Sequence, residues 1–271
     1  MNSLQPISRW RAFLIHLGIS LVIFLILAYI ILIKWYPVPF FYTDGGWQGV
    51  RIVAAVDLVL GPLLTLLVYK HGKPGLKMDL TLIALVQAAA LVWGVWTTYN
   101  ERPVALVYTI NYFTPVAAYQ MRKLGYDPKQ LDAFGTNNPI PVYADIPTDP
   151  DGQQEYRRQA VSSGVPLYLF YTLYRKFTPE YLALLKQQSD ILYDWLETRP
   201  EGRHALEALY QIRPELVDQY LFVPLHSRYK RSIIVLDINS LDYVGSLDID
   251  TTKFLLGKKI KKKTPDKALS G

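Results

Sequence analysis

Cysteine is absent from all 271 residues, which excludes disulfides, thiolate nucleophiles and thiolate metal sites. It is compatible with a domain exported without oxidative folding. Histidine is nearly as scarce: of 4 in the chain, only His204 and His226 lie beyond residue 100. No G-x-S-x-G elbow, phosphate loop or H-E-x-x-H helix occurs, so the short patterns of hydrolase, nucleotide and zinc chemistry are missing. His204 with Glu207, and Ser162-Ser163-Gly164, belong to no wider constellation. The acids Asp145, Asp149 and Asp151 lack the glycine and distal glutamate of a calcium loop and read as solvated turn residues. We therefore expect no enzyme, no catalytic residue, no metal and no cofactor.

Charge is what the first hundred residues lack most. The runs 12–33 and 80–99 contain no Asp, Glu, Lys or Arg, and the run 52–69 contains only Asp57. Each is about long enough to cross a hydrocarbon core of roughly 30 Å at 1.5 Å per residue. Three transmembrane helices are expected in a region 1–99. The first exceeds a secretory h-region and ends in Ile33-Lys34-Trp35-Tyr36-Pro37 without a small-residue cleavage site, so it reads as a retained anchor.

Arg9, Arg11, Lys70, Lys73 and Lys77 flank one side of these spans, against Lys34, Arg51 and Arg102 on the other. That bias predicts a cytoplasmic N-terminus. An odd number of crossings then puts the rest of the chain outside, in the periplasm of a bacterium. Trp35, Tyr36, Phe40, Phe41, Tyr42, Trp47, Trp96 and Tyr99 gather at the outer helix ends, as an interfacial aromatic belt would. His71-Gly72-Lys73-Pro74-Gly75 makes a tight turn that sets the second and third spans as an antiparallel hairpin.

Residues 100–257 read as an α+β domain. A strand is expected at 103–110, helices at 152–162, 179–196 and 202–211, and strands at 221–225, 232–238 and 243–249 that form a terminal antiparallel meander. Thr178 is the N-cap expected before Pro179. Residues 127–150 look loop-like apart from an apolar piece at 140–143. The tail 258–271 opens with a lysine run and reads as disordered and solvated. Five of those lysines sit in one hexapeptide, so much of the net charge of +6 is local and nucleic-acid binding gains no support.

The chemistry-bearing part is the middle span. Ala54, Asp57, Gly61 and Thr65 share one small or polar helical face, with Pro62 beside it. Gln87 and Gly94 lie on a comparable stripe of the third span, and the two stripes are expected to face each other. Gln87 counts level with Gly61, and its amide is a candidate donor to the Leu58 carbonyl that Pro62 leaves unpaired. Asp57 falls opposite Leu91, without an obvious partner in the hairpin. Placing an acid there costs ~2.5–3.5 kcal/mol even on the gentlest insertion scale. Three readings stay open for it: a packing carboxyl, a docking point for another transmembrane helix, or part of a proton or ion path. His16 and Ser20 share a face of the first span and read as interfacial packing.

The run from Ala55 through Asp57-Leu58-Val59-Leu60-Gly61-Pro62 to Tyr69 resembles the second membrane segment of the TfpX/TfpZ family of type IV pilin accessory proteins. Lys77-Met78-Asp79-Leu80, Ile83 to Gln87, Trp93-Gly94-Val95 and Glu101-Arg102-Pro103-Val104 resemble its third segment and exit; Arg11-Ala12-Phe13 with His16-Leu17 matches the first in style. The likeness covers roughly residues 9–110 and brings no catalytic residue. It implies an inner-membrane accessory protein that assists the production, stability or assembly of the major pilin. Together with the layout of spans and outer domain, the expectation is a non-catalytic protein that binds the major pilin and assists its stability or assembly into pili. A pilin awaiting assembly is a single-pass helix with a periplasmic head, so the partners are that helix, that head and the lipid bilayer. The competing reading is a membrane-anchored sensor or small transporter subunit with a periplasmic ligand-binding domain.

Overall fold

A computed structural model describes residues 8–147, 149–212 and 219–255. The lysine-rich tail lies outside the described residues. The chain divides into two compact units, Met1–Arg102 and Pro103–Gly271.

The first unit holds three helices long and apolar enough to cross a membrane, Arg9–Trp35, Gly46–Val68 and Leu76–Glu101, and the protein is a membrane protein. Each begins a few residues before its apolar run, because backbone hydrogen bonding starts in flanking polar residues that composition alone leaves out. Ser8 caps the first span by accepting from the Arg11 N–H at 3.3 Å. The first span ends in a π turn at Ile30–Trp35, closed by Tyr36 N–H to the Ile31 carbonyl at 2.8 Å. The short helix Phe40–Thr43 and a turn follow, and Gly45, at φ 112°, starts the second span in a left-handed conformation that suits glycine.

Tyr36, Phe40 and Phe41 are buried, so this part of the expected aromatic belt is core; Tyr42, Trp47 and Trp96 remain exposed. Ile31, Tyr36, Phe41, Val50 and Val53 form an apolar cluster with Leu91 packed against it. The Tyr36 hydroxyl donates to the Thr98 carbonyl at 3.0 Å, tying the first span's end to the third.

The second unit is built on a mixed seven-stranded sheet ordered β4-β3-β1-β2-β5-β6-β7. The strands are β1 Pro103–Thr109, β2 Tyr112–Ala117, β3 Ile140–Ala144, β4 Tyr174–Arg175, β5 Tyr220–His226, β6 Arg231–Asp237 and β7 Tyr243–Leu247. β5, β6 and β7 pair antiparallel, which is the expected meander. β1 with β3, and β2 with β5, pair parallel. The helices Pro150–Ser163, Pro179–Glu197 and Pro200–Ile212 appear where periodicity predicts them. Thr178 caps the second of these by accepting from the Tyr181 N–H at 3.3 Å.

That helix lays Leu192 and Leu196, both 0% exposed, against Phe222, Ile233 and Val235 of the meander. Its Ser189 hydroxyl, also buried, accepts the Phe222 backbone N–H at 2.7 Å. On β1 and β3 a second core gathers Val107, Val142, Leu131 and Tyr174.

His226 closes β5 and stacks on Tyr112 at 4.0 Å with 22° between the rings. Burial, with Arg231 nearby, holds its imidazole below the ordinary 6.5, and Asp250 opposes this weakly. The folded chain thus takes up this proton less readily than the unfolded one. The stability from a neutral His226 is complete above the ordinary range and is lost as pH falls through the depressed value. Thermal unfolding of the detergent-solubilised chain should shift to lower temperature between about pH 7.5 and pH 5, and His226→Gln should flatten that slope. An unchanged slope in the variant refutes the assignment.

Candidate functional site

The polar residues of the three spans converge on one place. The Gln87 amide crosses from the third span and donates from Nε2 to Asp57 Oδ1 at 2.6 Å. Ser20, on the first span, donates to the same oxygen at 3.1 Å. His16 Nε2 lies 3.1 Å from Gln87 Oε1, and His16 Nδ1 lies 2.6 Å from Thr65 Oγ1. Five side chains from three helices therefore make one network.

Hydrogen positions follow from the partners. Gln87 Oε1 accepts and cannot donate, so His16 Nε2 carries the hydrogen of that bond. His16 and Gln87 then form a donor chain that ends on Asp57 Oδ1, with Thr65 bonded to the other ring nitrogen of His16. Asp57 Oδ2 is buried and has no hydrogen-bond partner among the described residues. Asp57 and Ser20 are each 1% exposed.

Depth makes these bonds matter. Asp57 is the midpoint of Gly46–Val68, ~16 Å from either end at 1.5 Å per residue. Water is excluded there, and a polar group without a partner is costly. Gly61 makes the crossing possible, because a Cβ at that position would occupy the space of the Gln87 amide.

The helix changes character at the same point. Ala55–Leu60 is a π turn in which the Gly61 N–H reaches the Val56 carbonyl, and Pro62, lacking an N–H, follows at once. The wider turn moves Asp57 off the position that a 3.6-residue projection gives. The pairing therefore differs from the sequence expectation: Gln87 serves Asp57 and His16, and Asp57 has partners on two spans. His16 and Ser20 are part of the same network, whereas their shared face alone pointed only to packing. Their spacing of four residues was the available signal, but the rotation of the first span is not written in it.

The remaining expected positions sit around the network. Ala54 is half-buried and Pro62 buried beside Gly61. Gly94 faces Ile52 at ordinary contact distance. Gly49 marks a closer approach, since a Cβ there would meet the Thr98 side chain at 2.8 Å. Ala84 and Ala88, on the same helical face of the third span as Gln87, are exposed, so that face meets the second span only in part.

In the second unit, His204 and Glu207 form an exposed pair at 3.8 Å. Ser162 and Ser163 both donate to the Gln159 carbonyl. Asp149 caps a helix through the Gly152 N–H at 2.6 Å, and Asp145 lies 3.7 Å from Arg175. Among the described residues no three His, Asp or Glu side chains gather as a metal site would require.

A Dichelobacter nodosus protein described as the fimbrial assembly protein of serogroups C1 and C2 is 33% identical over 100 residues, covering 36% of this chain and 76% of that relative. The chain belongs to the fimbrial assembly protein family. The family profile for fimbrial assembly protein FimB matches residues 5–45, which take in His16 and Ser20. Two longer members from the same organism, of serogroups E1 and I, are 34% and 33% identical over 100 residues. The match covers only 38% of the length of each of these. No solved structure matches the chain.

Proposed function

We propose that this protein is a non-catalytic accessory factor of type IV pilus assembly, of the TfpX/TfpZ kind, that holds the major pilin before or during its incorporation. The observation that carries this reading is membership of the fimbrial assembly family in a chain whose polar intramembrane residues join its own spans. The three helices are placed in the bacterial inner membrane with the N-terminus cytoplasmic and the second unit periplasmic, as the lysine and arginine bias favours.

In this reading Ala54, Asp57, Gly61, Pro62, Thr65, Gln87 and Gly94 are helix-packing residues that fix the bundle. The pilin helix then packs on an outer face, such as the exposed Val59, Leu63 and Leu67 of the second span. The periplasmic unit meets the pilin head. A photo-crosslinker at position 59 or 63 should trap pilin in cells, and deletion of the gene should remove surface pili. Adducts with lipid alone, together with normal pili in the deletion strain, refute the reading. An alkaline phosphatase reporter fused after residue 255 should be active; an inactive reporter refutes the orientation.

A further inference from the structure

The second unit contains a cavity of about 360 Å³ at the carboxyl ends of the parallel strands β1 and β3. Its volume falls within the roughly 300–1,000 Å³ of ligand-binding clefts. Ile110, Ile146, Leu167 and the ring of Tyr181 supply apolar wall, and Arg157 and Asp145 supply charge. The charges are in different states. Asp145 is already beside Arg175, and the neighbouring acid Glu155 is engaged by Arg158 at 3.5 Å. Arg157 is exposed and has no ion pair or hydrogen bond among the described residues.

One wall is fixed and the other is lightly held. Tyr181 stacks on Tyr143 at 3.8 Å and 17°, and Phe177 and Tyr108 meet it edge-on. Burial, Tyr143 and Asp145 push its phenol up to about 12, so it keeps its hydrogen and remains a donor at neutral pH. The opposite wall is the helix Pro150–Ser163, which has no buried residue. An element with so little burial adjusts readily to a partner. The rim continues outward in apolar residues: Ile110 is 61% exposed, and Val161, one turn beyond Arg157, is 84% exposed.

We propose that this cavity receives a segment of a partner protein in which an aliphatic side chain stands next to a carboxylate, the aliphatic group filling the Ile110–Ile146–Leu167 wall and the carboxylate pairing with Arg157. The unspent guanidinium sets the sign of the ligand, and the exposed apolar rim, which extends past the cavity, fits a protein surface. Identification of that protein as the pilin head rests on the function proposed above; the chemistry of the pocket does not.

The test uses the full chain in nanodiscs with labelled isoleucine methyl groups, probed with 4-methylpentanoate and its neutral amide. The acid should shift the Ile110 and Ile146 methyl signals and the amide should not. Arg157→Gln should weaken binding by about tenfold or more, as loss of a charge-assisted bond does, and Arg157→Lys by less. Equal response to acid and amide, or unchanged binding in Arg157→Gln, overturns the pocket. In cells, a photo-crosslinker at Val161 should capture pilin in an Arg157-dependent way. Capture that survives Arg157→Gln overturns the pocket and leaves the pilin reading intact. An acid-selective pocket that captures no pilin overturns the pilin assignment and keeps the pocket.

Discussion

Gly61→Ala is expected to destabilise the three-span bundle by about 1–4 kcal/mol, the sum of two intramembrane hydrogen bonds at ~0.6–2 kcal/mol each. The added methyl group would occupy the space of the Gln87 amide. That amide is the far end of a flexible side chain, so the collision is relieved by swinging it away and the steric cost itself is small. What is lost is the pair of bonds to Asp57 and His16. The loss is therefore conditional on Gln87. In a Gln87→Ala background the Gly61→Ala penalty should nearly vanish, a coupling that a double-mutant cycle on the detergent-solubilised protein reads directly. A penalty of equal size in both backgrounds means that Gly61 matters for its own backbone and not for the crossing.

Gly202→Ala should act in the opposite manner, because the obstacle is rigid. Gly202 lies in the first turn of the helix Pro200–Ile212 and is buried. A Cβ there would collide with the carbonyl oxygen, carbonyl carbon and Cα of Leu196, all backbone atoms of the preceding helix. Those two helices share the Leu192, Leu196, Leu206 and Leu209 core. Forced overpacking costs ~1–3 kcal/mol where side chains can yield, so about 3 kcal/mol or more is expected here. Limited proteolysis should cut the second unit of the variant rapidly while leaving the spans protected. Wild-type protease resistance refutes the close contact.

The spans were readable from the sequence because an apolar run of about twenty residues matches the bilayer thickness and exceeds what a buried core helix usually needs. Counting positions also put Gln87 level with Gly61, and the two do meet. The partners of Asp57 were not readable. Its π turn departs from the regular projection, and Ser20 comes from a span whose rotation no local pattern fixes. In the second unit, helices with proline starts and alternating strands announced themselves. β2 did not, since it follows β1 after only Ile110-Asn111 and carries Pro115; β4 has two residues and no pattern at all. The parallel pairing of β1 with β3 joins segments separated by a hairpin and two short helices, a long-range choice that periodicity does not encode.

Pilus assembly in a deletion strain carrying Asp57→Leu or Asp57→Asn tests the link between the intramembrane network and function most directly. Asparagine keeps an oxygen that accepts from Ser20 and Gln87, whereas leucine removes the one acceptor that both share at the middle of the spans and leaves only the long 3.5 Å contact between them. With both variants at equal abundance in the membrane, surface pili should persist with asparagine and disappear with leucine. Full piliation with the leucine variant contradicts a role for the network in assembly.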